Sequence, residues 1–256
     1  MFYSKNPVFS EKSIVKAEVL QENVLYPMRM FEHLYADYTD GIVTGVRLQA
    51  KDTDELLLSP GIIKYQGRLY HMEESACVEF EHNNRMNYLK IRFDNGERTS
   101  DGELFHTQVL LTSEEACFPY EMELGRFFTE AGAQLIDHAH HFEDFFIEHN
   151  HIDVRHVPYS ARTEATISPE ITVAFARDML QKQEKGEADI CFCMQCLRKE
   201  PVDREIICAY ISAKTGRPVA KMNNAQMCEA LLSILKKGRT MVAERQTFRE
   251  RRSIIV

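Results

Sequence analysis

The sequence predicts an α+β protein: N-terminal helices, a small antiparallel β-module, a long connecting helix and a C-terminal helical bundle. Three observations predict it. Between residues 41 and 115, short β-branched and aromatic runs alternate with Gly, Pro and Asn/Asp turn signals. Leu124, Phe128, Ala131, Leu135, Ala139, Phe142 and Phe146 then repeat at the spacing of one helical face. Beyond Ser168-Pro169, apolar positions recur three and four residues apart between capping residues and glycines.

The elements follow in order. Ser10 is expected to cap a helix over Glu11 to Glu22, with Ile14, Val15, Val19 and Leu20 on its apolar side. Pro27 suits the first turn of a second helix, where its missing N–H costs nothing, and Met30, Phe31, Leu34 and Tyr35 share that helix's face. Asp40-Gly41 ends the helical region. Strands are expected over Ile42–Leu48, Glu55–Leu58, Ile62–Tyr65, Arg68–Met72, Cys77–Glu81, Tyr88–Phe93 and Phe105–Thr112. A tight turn falls at Gln66-Gly67, and further turns at Asn95-Gly96 and Asp101-Gly102. The periodic stripe predicts one helix from about Glu121 to Ile147. Residues 148–166 show no period and read as an ordered, part-extended connector. Helices then open at Ser168-Pro169, Ala188, Asp203 and Asn224, stopped by Gly186, Pro201, Gly216 and Gly238, with a last helix over Thr240–Arg252. The expected organisation is 1–120, 121–166 and 167–256.

Composition narrows the functional classes. The 256 residues are 44% hydrophobic and 27% charged, which excludes collagen-like and wholly disordered chains. No apolar run reaches the ~20 residues that span a bilayer. Residues 1–10 lack a basic region followed by an apolar one, predicting no signal peptide there. Seven cysteines, an odd number, predict reduced thiols and a cytoplasmic setting. The net charge is -8, but residues 236–256 hold seven basic and two acidic side chains, +5, leaving -13 on the rest. Arg245, Arg249 and Arg252 fall on one face of the expected last helix. That face can be a solvated surface, or it can dock on protein or on nucleic acid.

Two clusters raise the question of metal. Cys191, Cys193 and Cys196 form C-x-C-x-x-C, but on a helix residues two apart point ~200° apart, so only Cys193 and Cys196 share a face. Core packing is the favoured reading. His138 and His141 stand at i and i+3 within a run of six histidines between residues 138 and 156. The pattern is not H-E-x-x-H, and a polar face of the long helix is the favoured reading. No metal ligand, cofactor site or catalytic residue is assigned. The phosphate-loop, dinucleotide and hydrolase-elbow motifs do not occur in the sequence.

One stretch is distinctive. Asp40-Gly41-Ile42-Val43-Thr44-Gly45, followed by Leu57-Leu58-Ser59-Pro60-Gly61 and Ile62 to Tyr70 through Gln66-Gly67, resembles a β-module of tail and baseplate proteins of contractile phages and phage-tail-like particles. Glu123-Leu124-Gly125-Arg126-Phe127 and Gly132-Ala133-Gln134-Leu135 resemble an uncharacterised clostridial, prophage-type family whose members sometimes carry a "DNA and RNA helicase" label. The resemblance is sharpest over residues 40–72. It implies a non-enzymatic structural component, assembling with other particle proteins or copies of itself, in the cytoplasm and without membrane. The alternatives are a nucleic-acid-associated protein docking through its basic tail and, less favoured, a metal-dependent enzyme using the histidines or cysteines.

Overall fold

A computed structural model describes residues 16–99, 102–219 and 221–237. Helix α1 (Ala17–Leu34) leads into eleven strands: β1 (Gly41–Gly45), β2 (Leu48–Ala50), β3 (Glu55–Leu58), β4 (Gly61–Tyr65), β5 (Arg68–Met72), β6 (Ala76–Glu79), β7 (Met86–Phe93), β8 (Glu97–Thr99), β9 (Gly102–Leu104), β10 (Thr107–Thr112) and β11 (Glu121–Phe128). A short 3-10 helix (Phe142–Phe146) precedes α2 (Pro169–Leu180), α3 (Glu187–Cys196), α4 (Arg204–Thr215) and α5 (224–237). The α+β class, the antiparallel module and the C-terminal bundle stand as the sequence predicts.

Three sheets of three strands and one hairpin build the β-module, in the orders β1-β4-β5, β10-β7-β11, β2-β3-β6 and β8-β9, all antiparallel. Gln66 and Gly67 join β4 to β5 with φ of 48° and 78°, the left-handed pair a two-residue hairpin needs. Gly61 acts differently from a turn glycine. It pairs with Gly45, and a side chain there would come within 2.4 Å of the Thr44 carbonyl oxygen. Ile42, Leu56, Leu58, Leu89, Leu124 and Phe127 fill the module's core, each almost wholly buried. A buried ion pair lies on the opposite face of the β10-β7-β11 sheet from this core: the Glu121 carboxylate takes the buried Lys90 at 2.8 Å and the half-exposed Arg92 at 2.6 Å, and accepts the Cys117 N–H.

The long connecting helix is absent, which corrects the sequence reading. Residues 121–128 form β11 against the central strand β7, with both faces buried from Glu121 to Gly125. The chain then turns at Gly132 (φ 78°) and becomes helical again only at the 3-10 helix. The apolar stripe belongs to two separate cores: Leu124 and Leu135 pack in the β-module, Phe142 and Phe146 with the helices. Gly125 also favours the strand. A side chain there would meet Leu48 Cδ1 at 2.6 Å, and the register shifts at this point. A period of 3.6 fitted to residues from two layers therefore imitates one helical face.

The connector is ordered, with isolated bridges from Phe128 to His149, Ile136 to His151 and Arg126 to Asp153. Tyr159 bridges both Ile42 and Thr166, tying the two halves together. In the bundle, Ser168 caps α2 by accepting the Glu170 N–H, with Pro169 in the first turn. Gly216 closes α4 at φ 69°. Asn223, rather than Asn224, caps α5: its side chain accepts the Gln226 N–H while Gln226 accepts in return. Asn224 turns inward instead, donating to the Val157 and Thr166 carbonyls and accepting from Arg204. The helix expected over Thr240–Arg252, with Arg245, Arg249 and Arg252, lies outside the described residues, as does the Ser10 cap.

Candidate interaction surface

Helix α1 carries the most exposed apolar surface among the described residues. It contains Ala, Val, Leu, Tyr and Met throughout, yet none of its eighteen residues is buried. Leu20, Val24, Tyr26, Met28, Met30, Phe31 and Leu34 are 53–65% exposed. At ~100° per residue these side chains, with Val19, cover roughly half the circumference, while Glu18, Glu22, Arg29 and His33 occupy the opposite arc. Pro27 lies inside the helix and does not open a second one. It removes one amide donor, but the Asn23 carbonyl left over sits on an exposed turn where water satisfies it.

The base of this helix is firmly held. Lys64, buried in the centre of the β1-β4-β5 sheet, donates its ammonium to the Tyr35, Ala36 and Tyr38 carbonyls. A cation is favourable at this end, where the helix presents its negative pole. Thr39 then joins the connector, its N–H donating to Ala161 and its carbonyl accepting Ser160 Oγ. The β-module thus anchors one end of α1 and leaves its apolar half in solvent. Burying a single Leu, Phe or Met is worth roughly 1.5–3 kcal/mol. A contiguous exposed arc of this kind marks an interaction surface.

The residues considered for metal do not converge. Cys193 and Cys196 are wholly buried on the inner side of α3, and burial pushes both thiols up to about 12, so they are protonated. Cys191 is exposed and points away. His138 meets Asp137 at 3.2 Å and His141 meets Asp178 at 3.2 Å, on a segment that is not helical, so the i, i+3 argument lapses. Among the described residues no group of three or more His, Cys, Asp or Glu could hold a metal ion. None of the described helices is long and apolar enough to cross a membrane.

Fold and surface together define an α+β protein that displays a clamped apolar helix beside a β-module and a helical bundle. Its structure is similar to that of TssK, a baseplate protein of the type VI secretion system. One crystal structure of TssK shares 10% identity, covering 90% of this chain and 71% of that one, at a TM-score of 0.42. TssK from the EAEC type VI secretion system, bound to nanobody nb18, shares 10% identity over 85% of this chain and 96% of that one, at 0.47. A TssK-TssF-TssG baseplate subcomplex seen by cryo-electron microscopy gives 8%, 91%, 98% and 0.40. No family model matches the chain, and no curated protein matches it. No residue role is carried over from this likeness.

Proposed function

We propose that this chain is a non-enzymatic assembly component of a phage-tail-like particle, placed in its baseplate and built in the cytoplasm. The observation that carries the reading is α1: an apolar arc held out from the body by a buried clamp, a surface for a protein partner. The sequence resemblance over residues 40–72 points to the same class of particle. The partners are other particle proteins, and a second copy of this chain is a further candidate. The test is co-expression with the products of adjacent genes and purification through a tag on this chain. Wild type should bring down one of them in fixed stoichiometry, and a Leu20→Glu, Phe31→Glu variant should lose it while keeping its melting curve. Retention of that protein by the variant would remove α1 from the account. Salt-sensitive nucleic acid in its place would favour the basic tail.

A further inference from the structure

The β10-β7-β11 sheet is closed on one side and open on the other. Outside β11 runs the connector, with bridges from Arg126 to Asp153 and from Phe128 to His149. β10 is paired only with β7 among the described residues. Two bonds at the strand ends fix which of its groups are free. Phe93 donates its N–H to the Tyr120 carbonyl, on the β11 side of β7, and Asp94 donates to the His106 carbonyl, on the β10 side. Backbone bonds alternate along an antiparallel ladder. Gln108, Leu110 and Thr112 therefore bond to β7, while Thr107, Val109 and Leu111 turn their N–H and C=O groups outward. No residue of β10 is buried.

An open edge is a template for pairing, and proteins blunt such edges with charge, proline, a bulge, shortness or a covering segment. β10 has none of these. Its six residues, Thr-Gln-Val-Leu-Leu-Thr, carry no charge and no proline, and its register with β7 runs without a shift. The edges of the other two three-stranded sheets are blunted. The connector closes β1 by exchanging bonds with Ile42 through Pro158 and Ser160, β2 is three residues long, β5 carries Arg68 and His71, and β6 carries Glu79. The open edge is also complementary to itself. A twofold axis through Val109 pairs it with the partner's Val109, and pairs Thr107 with the partner's Leu111. Each outward-facing residue then meets an outward-facing one, and every free N–H and C=O of the strand is satisfied. Val109 and Leu111 pack against the module's core, so the axis brings core-facing side chains side by side. No like charges meet, although the chain as a whole carries -8. We propose that β10 pairs antiparallel with β10 of a second copy of this chain, joining two three-stranded sheets into one. This surface is separate from α1.

The test combines sedimentation of the full-length chain, up to ~300 μM, with backbone amide exchange on the same samples. Wild type should reach a dimer in which the amides of Thr107, Val109 and Leu111 are as slow as those of Gln108, Leu110 and Thr112. Val109→Pro removes an outward N–H and leaves the ladder to β7 intact, so it should fold and weaken the dimer at least about tenfold. Gln108→Lys charges the edge and should weaken it likewise. The α1 variant Leu20→Glu, Phe31→Glu should dimerise as wild type does. A monomer at the highest concentration, or an oligomer in which Thr107, Val109 and Leu111 exchange fast, would overturn the proposal. So would protection of these three amides only when the co-purified particle protein is added, since the edge would then take a strand from that protein. Should Val109→Pro fail to fold, Gln108→Lys and the wild-type amides still decide.

Discussion

Lys64 in β4 closes the C-terminal end of α1 by donating its buried ammonium to the main-chain carbonyl of Tyr35, 29 residues earlier. One lysine in a sheet thereby sets where an exposed helix begins to stand free. Replacing Lys64 by Met keeps the apolar stem and removes the donor. The Tyr35, Ala36 and Tyr38 carbonyls are then left under-satisfied, at about 1–3 kcal/mol. The loss should be local: amide exchange over residues 17–38 should accelerate while β7 and α4 keep their protection. Uniform acceleration through the whole chain would show that the clamp serves the global fold instead.

Glu121 sets the acid limit of the β-module. Burial alone would raise its pKa, but hydrogen bonds from Lys90, the Cys117 N–H and Arg92 outweigh burial and hold the carboxyl down at about 2. Its folded pKa is below its unfolded one, so its stabilisation is complete above ~4.5 and is lost as pH falls from there towards 2. Glu121→Gln should flatten the stability curve in that window. At pH 7 it should cost about 3–5 kcal/mol, because Lys90 remains buried without its counter-charge. Urea midpoints at pH 7, 5, 4 and 3 check both statements.

Gly61 and Gly67 should separate by mechanism. Gly67 has open space around its α-carbon and needs only its left-handed backbone, so Gly67→Ala should cost ~1–2 kcal/mol. Gly61→Ala puts a methyl against the Thr44 carbonyl and Val46, and should lower the melting temperature further. A smaller effect at Gly61 than at Gly67 would mean that β1 and β4 can part without penalty.

Thiol titration reads the cysteine environments. Cys77, Cys117 and Cys191 are exposed, so three thiols should react with a disulfide reagent at once in the folded protein. Cys193, Cys196 and Cys228 are buried with their thiols pushed up to about 12, and should react only on unfolding. A folded protein with buried thiols reacting at the fast rate would contradict the packed α3–α5 core.

Short-range chemistry was the legible part of the fold. The Gln66-Gly67 hairpin, the Ser168-Pro169 start of α2 and the Gly216 end of α4 are each written in two or three adjacent residues. The stripe from Leu124 to Phe146 misled because burial comes from tertiary layers: Leu124 is buried by β7 and its neighbours, Phe142 by the helices. Phe127-Phe128 beside Gly125 was the available signal for a strand. For the surface, the apolar face of α1 could be read from Met30, Phe31 and Leu34, but its exposure could not. Exposure depends on Lys64 and Ala161 holding the base and on no described element covering the rest. His151 was one of six clustered histidines in the sequence, and only the fold separates it from the exposed His138 and His141.

The most direct test of α1 as the assembly surface is amide exchange on this chain alone and in complex with the co-purified particle protein. Residues 17–34 should exchange fast in the free chain and slow by at least about tenfold in the complex, as burial of a solvated helix requires. If α1 exchanges equally fast in both states while protection appears elsewhere, the helix is not the interface and the account built on it is wrong.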